Sequence, residues 1–219
     1  RPFLTLADNG PDPDQPAQHL RFAKRAEWDI EGNQRVVRDA ITQAGDARGR
    51  IVMRYDYDLI GHRIRQLSME SGARWMLNDS SGRPLRAWDS RGQNFRSDYD
   101  SLRRPLRTHV TGADPADPNR ELLTDRLVYG EQHPQGEARN LRGKLYLQLD
   151  QAGALVTEQN DFKGNSLRAA RRFTNQQQYR QAVDWRAVDV NAVALPVDPT
   201  AALNLAALEA LLAPRLESD

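Results

Sequence analysis

Residues 79–92 read Asp79-Ser80-Ser81-Gly82-Arg83-Pro84-Leu85-Arg86-Ala87-Trp88-Asp89-Ser90-Arg91-Gly92: a short phrase, a run of mixed polarity, and the phrase again. The phrase, Asp-x-x-Gly, is turn chemistry. An Asp at the first position of a type I turn accepts hydrogen bonds from backbone N–H groups just ahead of it. The fourth position is often left-handed and suits Gly, which has no Cβ to clash. The six residues between the two phrases are about the length of a strand.

Working outward, the phrase recurs as Asp29-Ile30-Glu31-Gly32, Asp58-Leu59-Ile60-Gly61, Asp150-Gln151-Ala152-Gly153 and Asp161-Phe162-Lys163-Gly164, and as Asp100-Ser101-Leu102-Arg103 with Arg in place of Gly. The seven copies are separated by 29, 21, 10, 11, 50 and 11 positions, most of them one or two units of about ten residues. The spacers carry Trp75, Leu85, Phe95, Leu106, Leu155, Val156 and Leu167 with Arg, Ser and Thr interleaved, the composition of half-buried strands. The expectation is a mainly β chain of consecutive antiparallel β-hairpins.

Around this repeat region, residues 20–172, the chain divides by composition. Residues 1–19 read as an N-terminal extended connector, Pro-rich and polar over 8–18, and residues 111–120 form a second connector inside the repeats. After it, strands are expected over 122–129 and again from 141 to 172. Residues 173–219 form a partly helical tail. A weak helix is expected over 175–183, and Thr200 should cap a short C-terminal α-helix that ends at Ala213. Leu205, Leu208 and Leu212 share one face of that helix with Leu211 beside them, a stripe suited to packing on the neighbouring sheet.

Charge is dense and balanced, 31 basic against 30 acidic side chains, with only Lys24, Lys144 and Lys163 as lysines. Acids alternate with arginines along every repeat, so the broad positive face that nucleic-acid binding needs is missing. Arg–Asp pairs across strands are one use of this composition, each contributing about 0.2–1 kcal/mol; a codon bias toward Arg is the other. The apolar fraction of 39% lies below the globular average of about 45–50%, which favours a sheet with one wet face over a deep core. There is no cysteine, hence neither a disulfide framework nor a thiolate metal site. No stretch has the roughly 18 apolar residues of a membrane span. The chain opens Arg1-Pro2-Phe3 with no signal-peptide layout, which reads as a piece of something longer.

Little in the sequence points to catalysis. His19, His62, His109 and His133 form no ligand motif, and no nucleophile elbow, phosphate loop or dinucleotide fingerprint is present. Asp56 with Asp58, and Asp98 with Asp100, would each project to one side of a strand as a cation site requires, although the second member of each pair already has a turn to cap. No cofactor, metal or catalytic residue is expected, and the protein reads as a non-enzyme. The residues singled out are the turn formers Asp29, Gly32, Asp58, Gly61, Asp79, Gly82, Asp89, Gly92, Asp100, Asp150, Gly153, Asp161 and Gly164. A second group is aromatic, Trp28, Tyr57, Trp75, Trp88 and Tyr99. Trp28, Tyr57, Trp88 and Tyr99 would fall on equivalent sites beside turns and could form a ladder of rings, packed strand to strand or facing a cargo or partner.

Tyr55-Asp56-Tyr57-Asp58-Leu59-Ile60-Gly61-His62-Arg63 resembles the tyrosine-aspartate (YD) repeat of the rearrangement-hot-spot (RHS) family, with Trp88-Asp89-Ser90-Arg91-Gly92 and Tyr99-Asp100-Ser101-Leu102-Arg103-Arg104-Pro105 as variants. Val128-Tyr129-Gly130-Glu131, Asn140-Leu141-Arg142-Gly143-Lys144 and Asn160-Asp161-Phe162-Lys163-Gly164-Asn165 are similar to a segment of the large bacterial insecticidal toxin-complex proteins, components B and C. The likeness spans roughly residues 20–186. It implies an extended curved β-sheet, part of a hollow shell that encloses a toxic C-terminal polypeptide, in a secreted or extracellular protein. The partners it implies are other repeats of the same polypeptide or a partner toxin-complex subunit, together with the enclosed toxin polypeptide. Departures from the repeat are Arg103 for the turn Gly, Asn78 and Asn160 where Tyr or Trp often precedes the Asp, and the absence of a further repeat after 186.

Two functions follow: a non-catalytic structural segment of such a shell, or a cell-surface or carbohydrate-binding module that uses exposed aromatics. Ring exposure separates them.

Overall fold

The computed structural model describes residues 3–42, 44–188 and 202–217. It is mainly β, and the strands follow one another in chain order with antiparallel neighbours. By its contacts the chain divides into two units, residues 1–92 and 93–219.

The first unit holds β1 (Leu4–Pro11), β2 (His19–Trp28), β3 (Gln34–Arg38), β4 (Ile51–Tyr57), β5 (Arg63–Ser68), β6 (Gly72–Asn78) and β7 (Pro84–Asp89). Each pairs with its sequence neighbour. Residues 4–11, read from sequence as part of a connector, instead pair with β2 from Leu4↔Arg25 to Pro11↔His19. Composition misses this strand because almost all of its side chains are exposed, so no apolar alternation marks it. Apolar burial in this unit is thin: Val36, Val37 and Ala73 are its buried hydrophobic side chains among the described residues.

The second unit holds β8 (Asn94–Tyr99), β9 (Pro105–Thr111), β10 (Glu121–Tyr129), β11 (Leu145–Asp150), β12 (Gly153–Asn160) and β13 (Ser166–Phe173), then α1 (Gln176–Tyr179) and α2 (Leu205–Leu212). Strand was expected from residue 141, but β11 begins at Leu145. Residues 130–144 form a folded excursion that opens with a single 3-10 turn, Gly130–Gln132.

This unit has a packed sheet face of the kind the apolar fraction favoured. Leu123 and Val128 of β10, Leu147 and Leu149 of β11 and Ala154 of β12 pack against Val183, Trp185, Val188, Leu203, Leu208, Leu212 and Leu216 of the C-terminal segment. Trp185 is fully buried and its indole N–H donates to the Asp150 carbonyl at 3.1 Å. The Gln151 amide both donates to the Val183 carbonyl (2.9 Å) and accepts from its N–H (2.9 Å), so the hairpin turn at 150–153 receives the tail. Helix α2 does pack on the sheet, with Leu208 and Leu212 buried and Leu211 partly so. Its described start is Leu205 on an Asn204 cap, whose side chain accepts from Ala207 N–H; Thr200 lies outside the described residues. Leu205, expected on the buried stripe, is 36% exposed at the first helical position, and Leu203 before the cap is buried instead.

Removing Trp185 leaves a large cavity under β10–β12, so Trp185→Ala is expected to cost about 3–5 kcal/mol in urea unfolding. A loss within about 0.5 kcal/mol, as at exposed positions, would show that the tail contributes no core.

Candidate functional site

The turns are the repeating feature, and their geometry follows from two demands, chain reversal and pairing of the freed backbone groups. At Asp29, Asp58, Asp79, Asp100 and Asp161 the Asp carbonyl accepts from the fourth residue's N–H (2.9–3.2 Å) while the Asp N–H donates to the fifth residue's carbonyl (2.8–3.0 Å). This is a type I turn followed by a left-handed residue, a common three-residue hairpin loop. The carboxylate completes it. Asp79 Oδ1 accepts from Ser81 N–H (2.8 Å) and Arg83 N–H (2.9 Å), and Asp161 Oδ1 from Lys163 N–H (2.9 Å) and Asn165 N–H (2.8 Å). Asp58 Oδ1 does the same with Ile60 and His62. At Asp89, Gly92 N–H returns to the Asp carbonyl (3.2 Å). Asp150 is different: it pairs directly with Gly153 across a two-residue loop.

The strand order shows that the true repeat is two strands. Turns at 29, 58 and 79 follow even-numbered strands and lie along one edge of the first unit, whereas the turn at 89 follows β7 and lies on the other. Along the shared edge, the residue before each turn reaches back to the exit of the previous one. Tyr57 O–H donates to the Gln34 carbonyl (2.9 Å) and Asn78 Nδ2 to the Arg63 carbonyl (3.1 Å). The second unit repeats the device with Tyr129 O–H donating to the Pro105 carbonyl (3.0 Å), whereas Asn160 Nδ2 donates to the Asn140 carbonyl (3.2 Å) inside the 130–144 excursion. Asn78 and Asn160, departures from the aromatic-Asp phrase, keep the donor that the phenol supplies.

In the second unit the excursion at 130–144 takes the place of a simple turn. Gly130 N–H donates to the Lys144 carbonyl (2.9 Å), and a side chain at 130 would drive its Cβ into the Leu141 carbonyl oxygen. Arg104 links this excursion to the turn before it, donating to Asp100 (2.7 Å) and Glu131 (2.8 Å) with its guanidinium 3.9 Å over the Tyr129 ring. Glu131 in turn accepts from Gly143 N–H (2.9 Å). Burial works against ionisation of Glu131 and Asp100, but backbone N–H groups and Arg104 outweigh it and hold both below the ordinary carboxylate value.

The expected cross-strand ladders form. Asp56 on β4 lies between Arg35 on β3 (3.2 Å) and Arg65 on β5 (3.5 Å). On β8–β10, Arg96 pairs with Asp98 (2.5 Å) and Glu121 (3.2 Å), and His109 lies 3.1 Å from Asp98 and 3.5 Å from Glu121. Thus the four carboxylates considered as cation ligands have other occupations, Asp56 and Asp98 with arginines and Asp58 and Asp100 in their turns. His133 is buried edge-on against Tyr146 (4.7 Å) and accepts from Gln135 N–H; burial, then Arg139, lowers its pKa. The partners of His109 and His133 come from register and from a folded loop, neither visible as local spacing.

The aromatics do not form one ladder. Trp28 and Tyr57 end β2 and β4 at one edge of the first unit, and Trp88 lies toward the opposite edge in β7. Trp75 is the ring that neighbours Trp88, directly across the β6–β7 pair. Both are more than a third exposed. Tyr57 and Tyr99 are half-buried, and Tyr99 belongs to the other unit. Among the described residues no helix is long and apolar enough to cross a membrane.

No family model and no curated protein matches this chain. Solved structures do. The crystal structure of TcdB2-TccC3 is similar with a TM-score of 0.65 and 21% identity, over 92% of this chain and 9% of that one. TcdB2-TccC3 without its hypervariable C-terminal region gives a TM-score of 0.65 and 19% identity over 99% and 9%. A mutant Tc holotoxin pore of Photorhabdus luminescens gives 0.60 and 23% over 76% and 8%. The fold is therefore the RHS-repeat-like fold of these toxin-complex chains, and this chain spans less than a tenth of their length.

Gly92 has open space where a Cβ would stand and φ of +83°, so Gly92→Ala tests backbone conformation alone. It is expected to lose about 1 kcal/mol, and Arg103→Gly, at φ 61°, to gain about 0.5–1 kcal/mol, both read from urea midpoints. Asp29 is held below 3.8 chiefly by Asn33 N–H, and Asp161 by the Asn165 side chain and N–H. A carboxylate depressed on folding contributes stability that is complete above its unfolded pKa and lost as pH falls through the folded one. The urea midpoint should therefore hold from neutrality down to about pH 5 and drop below about pH 4. Asp29→Asn with Asp161→Asn should make that drop shallower.

Proposed function

We propose that this chain is a non-catalytic structural segment of a secreted RHS/YD-repeat toxin protein, one stretch of a β-sheet shell that encapsulates a toxic polypeptide. The observation that carries the reading is the reach-back bonding of successive turns. Within each unit successive hairpins are fastened to one another, as a wall assembled by stacking requires, and single hairpins are marginal in water. Two further features support it. Strands β1 and β13 present nearly all their side chains to solvent, and neither is covered along its outer edge by another described strand of its unit. Bare edges of this kind call for further strands, from more repeats of the same polypeptide or from a partner toxin-complex subunit. The likeness to TcdB2-TccC3 supplies the same architecture in a toxin-complex chain. In this reading the turn residues shape the wall, and the enclosed toxin polypeptide lies against one face of it.

A second reading, recognition of a carbohydrate or cell-surface partner, is favoured by one observation: Trp75 and Trp88 lie side by side and exposed.

Hydrogen exchange separates a wall segment from an independent module. Amides of β1 and β13 are expected to exchange quickly in this chain alone and to gain protection when it is joined to further repeats; equal protection in both would overturn the wall. Containment is read by proteolysis of the assembled protein. The enclosed polypeptide should be cut far more slowly than the same polypeptide free, and equal rates would overturn encapsulation.

A further inference from the structure

One face of β4–β7 carries chemistry that the repeat itself does not use. Residues directly opposite across antiparallel strands share a face, as do alternate residues along each strand. Arg54 lies opposite Leu67; Asp56, Arg65, Trp75 and Trp88 form a row across four strands; Leu77 lies opposite Arg86. This is also the wetter face. Along β7, Arg86 and Trp88 are exposed while Leu85 and Ala87 are half-buried, and Leu77 on β6 is 50% exposed.

The hydrogen-bonding inventory of the face is one-sided. The Arg54 and Arg86 side chains make no ion pair or hydrogen bond with any described residue, and neither indole N–H of Trp75 and Trp88 has an acceptor among them. Arg65 reaches Asp56 at 3.5 Å and extends 6.0 Å from the centre of the Trp75 ring, yet its Nε is buried with no partner. The single carboxylate, Asp56, is engaged on both oxygens, by Arg35 and Arg65. Three guanidiniums face one occupied carboxylate, and donors alternate with apolar surface.

A ligand that fits must bring acceptors, negative charge and apolar groups. A neutral glycan brings hydroxyls that donate as readily as they accept, and it would find no free acceptor here. A nucleic acid relies on an extended positive field, which a chain of 31 basic and 30 acidic side chains lacks. Carboxylates suit the guanidinium fork, backbone carbonyls suit the indole N–H groups, and aliphatic or aromatic side chains suit the two rings. The geometry points to this face as a docking surface for an acidic polypeptide with apolar side chains, held by Arg54, Arg65 and Arg86 and seated on Trp75 and Trp88. It does not depend on the shell reading, and its test leaves the proteolysis result untouched.

The test titrates the 219-residue chain into a fluorescein-labelled, disordered synthetic peptide rich in Glu and Leu and follows anisotropy. Binding is expected to weaken as salt rises. Arg54→Gln with Arg86→Gln, and separately Trp75→Ala with Trp88→Ala, should each weaken it about tenfold. Trp75→Phe with Trp88→Phe keeps the rings but removes both N–H donors and should weaken binding less than the Ala pair; unchanged far-UV circular dichroism of every variant guards against loss of fold. Equal binding of the Lys-for-Glu peptide, unchanged binding by the Arg and Trp-to-Ala variants, or tighter binding of a neutral oligosaccharide or of oligothymidylate would overturn the proposal.

Discussion

The left-handed residue that closes each reversal is the constraint on which the rest depends. A strand can turn back into register within three residues only if one of them adopts positive φ, and the turn holds only if the N–H groups it frees find acceptors. Asp answers the second demand and Gly the first. Where Arg103 stands in for Gly the backbone keeps the same conformation, φ 61°, and Arg104 compensates nearby with a carboxylate pair and a ring beneath its guanidinium. The sheet is thus specified at its edges, and its faces are left free to differ.

They do differ between the two units. In residues 1–92 both faces are largely wet, and cohesion comes from the ladder, from turn-to-turn hydrogen bonds and from ion pairs such as Arg38 with Glu27 and Asp46. In residues 93–219 one face of β10–β12 is sealed by the C-terminal segment, with Trp185 at the centre of a dry core. Composition hides this contrast, because the two units carry nearly the same share of apolar residues and differ in how many of them are buried.

The strands and turns were legible because turn chemistry is local: Asp and Gly three residues apart state the bend, though not its register, since Asp150 pairs with Gly153 across two residues where other copies close over three. The short C-terminal helix was legible for a similar reason, a run of Ala and Leu. What escaped was non-local. Strand β1 carries no apolar alternation and exists through its pairing with β2. The excursion at 130–144 is held by Gly130 against Leu141 and by Arg104 from another turn, contacts that no window of adjacent residues contains. The aromatics of the candidate site were named individually, but parity scattered them: Trp88 lies near the end of an odd-numbered strand and Tyr57 at the end of an even one, so equal distance from an Asp does not place them at the same end. Trp75, which precedes no turn, became Trp88's neighbour through register alone.

The back-reaching hydrogen bonds along one edge have a consequence for how such a chain can grow or shrink. Since Tyr57 and Asn78 each fasten to the exit of the preceding bend on their own side, material can be gained or lost without penalty only in double steps of about twenty residues. A duplication of one rung would send every later bend to the far margin and leave each latch without its mate. Evolution along such a lineage is therefore quantised, and the single-rung lengths that a ruler would allow are ones that inheritance must skip.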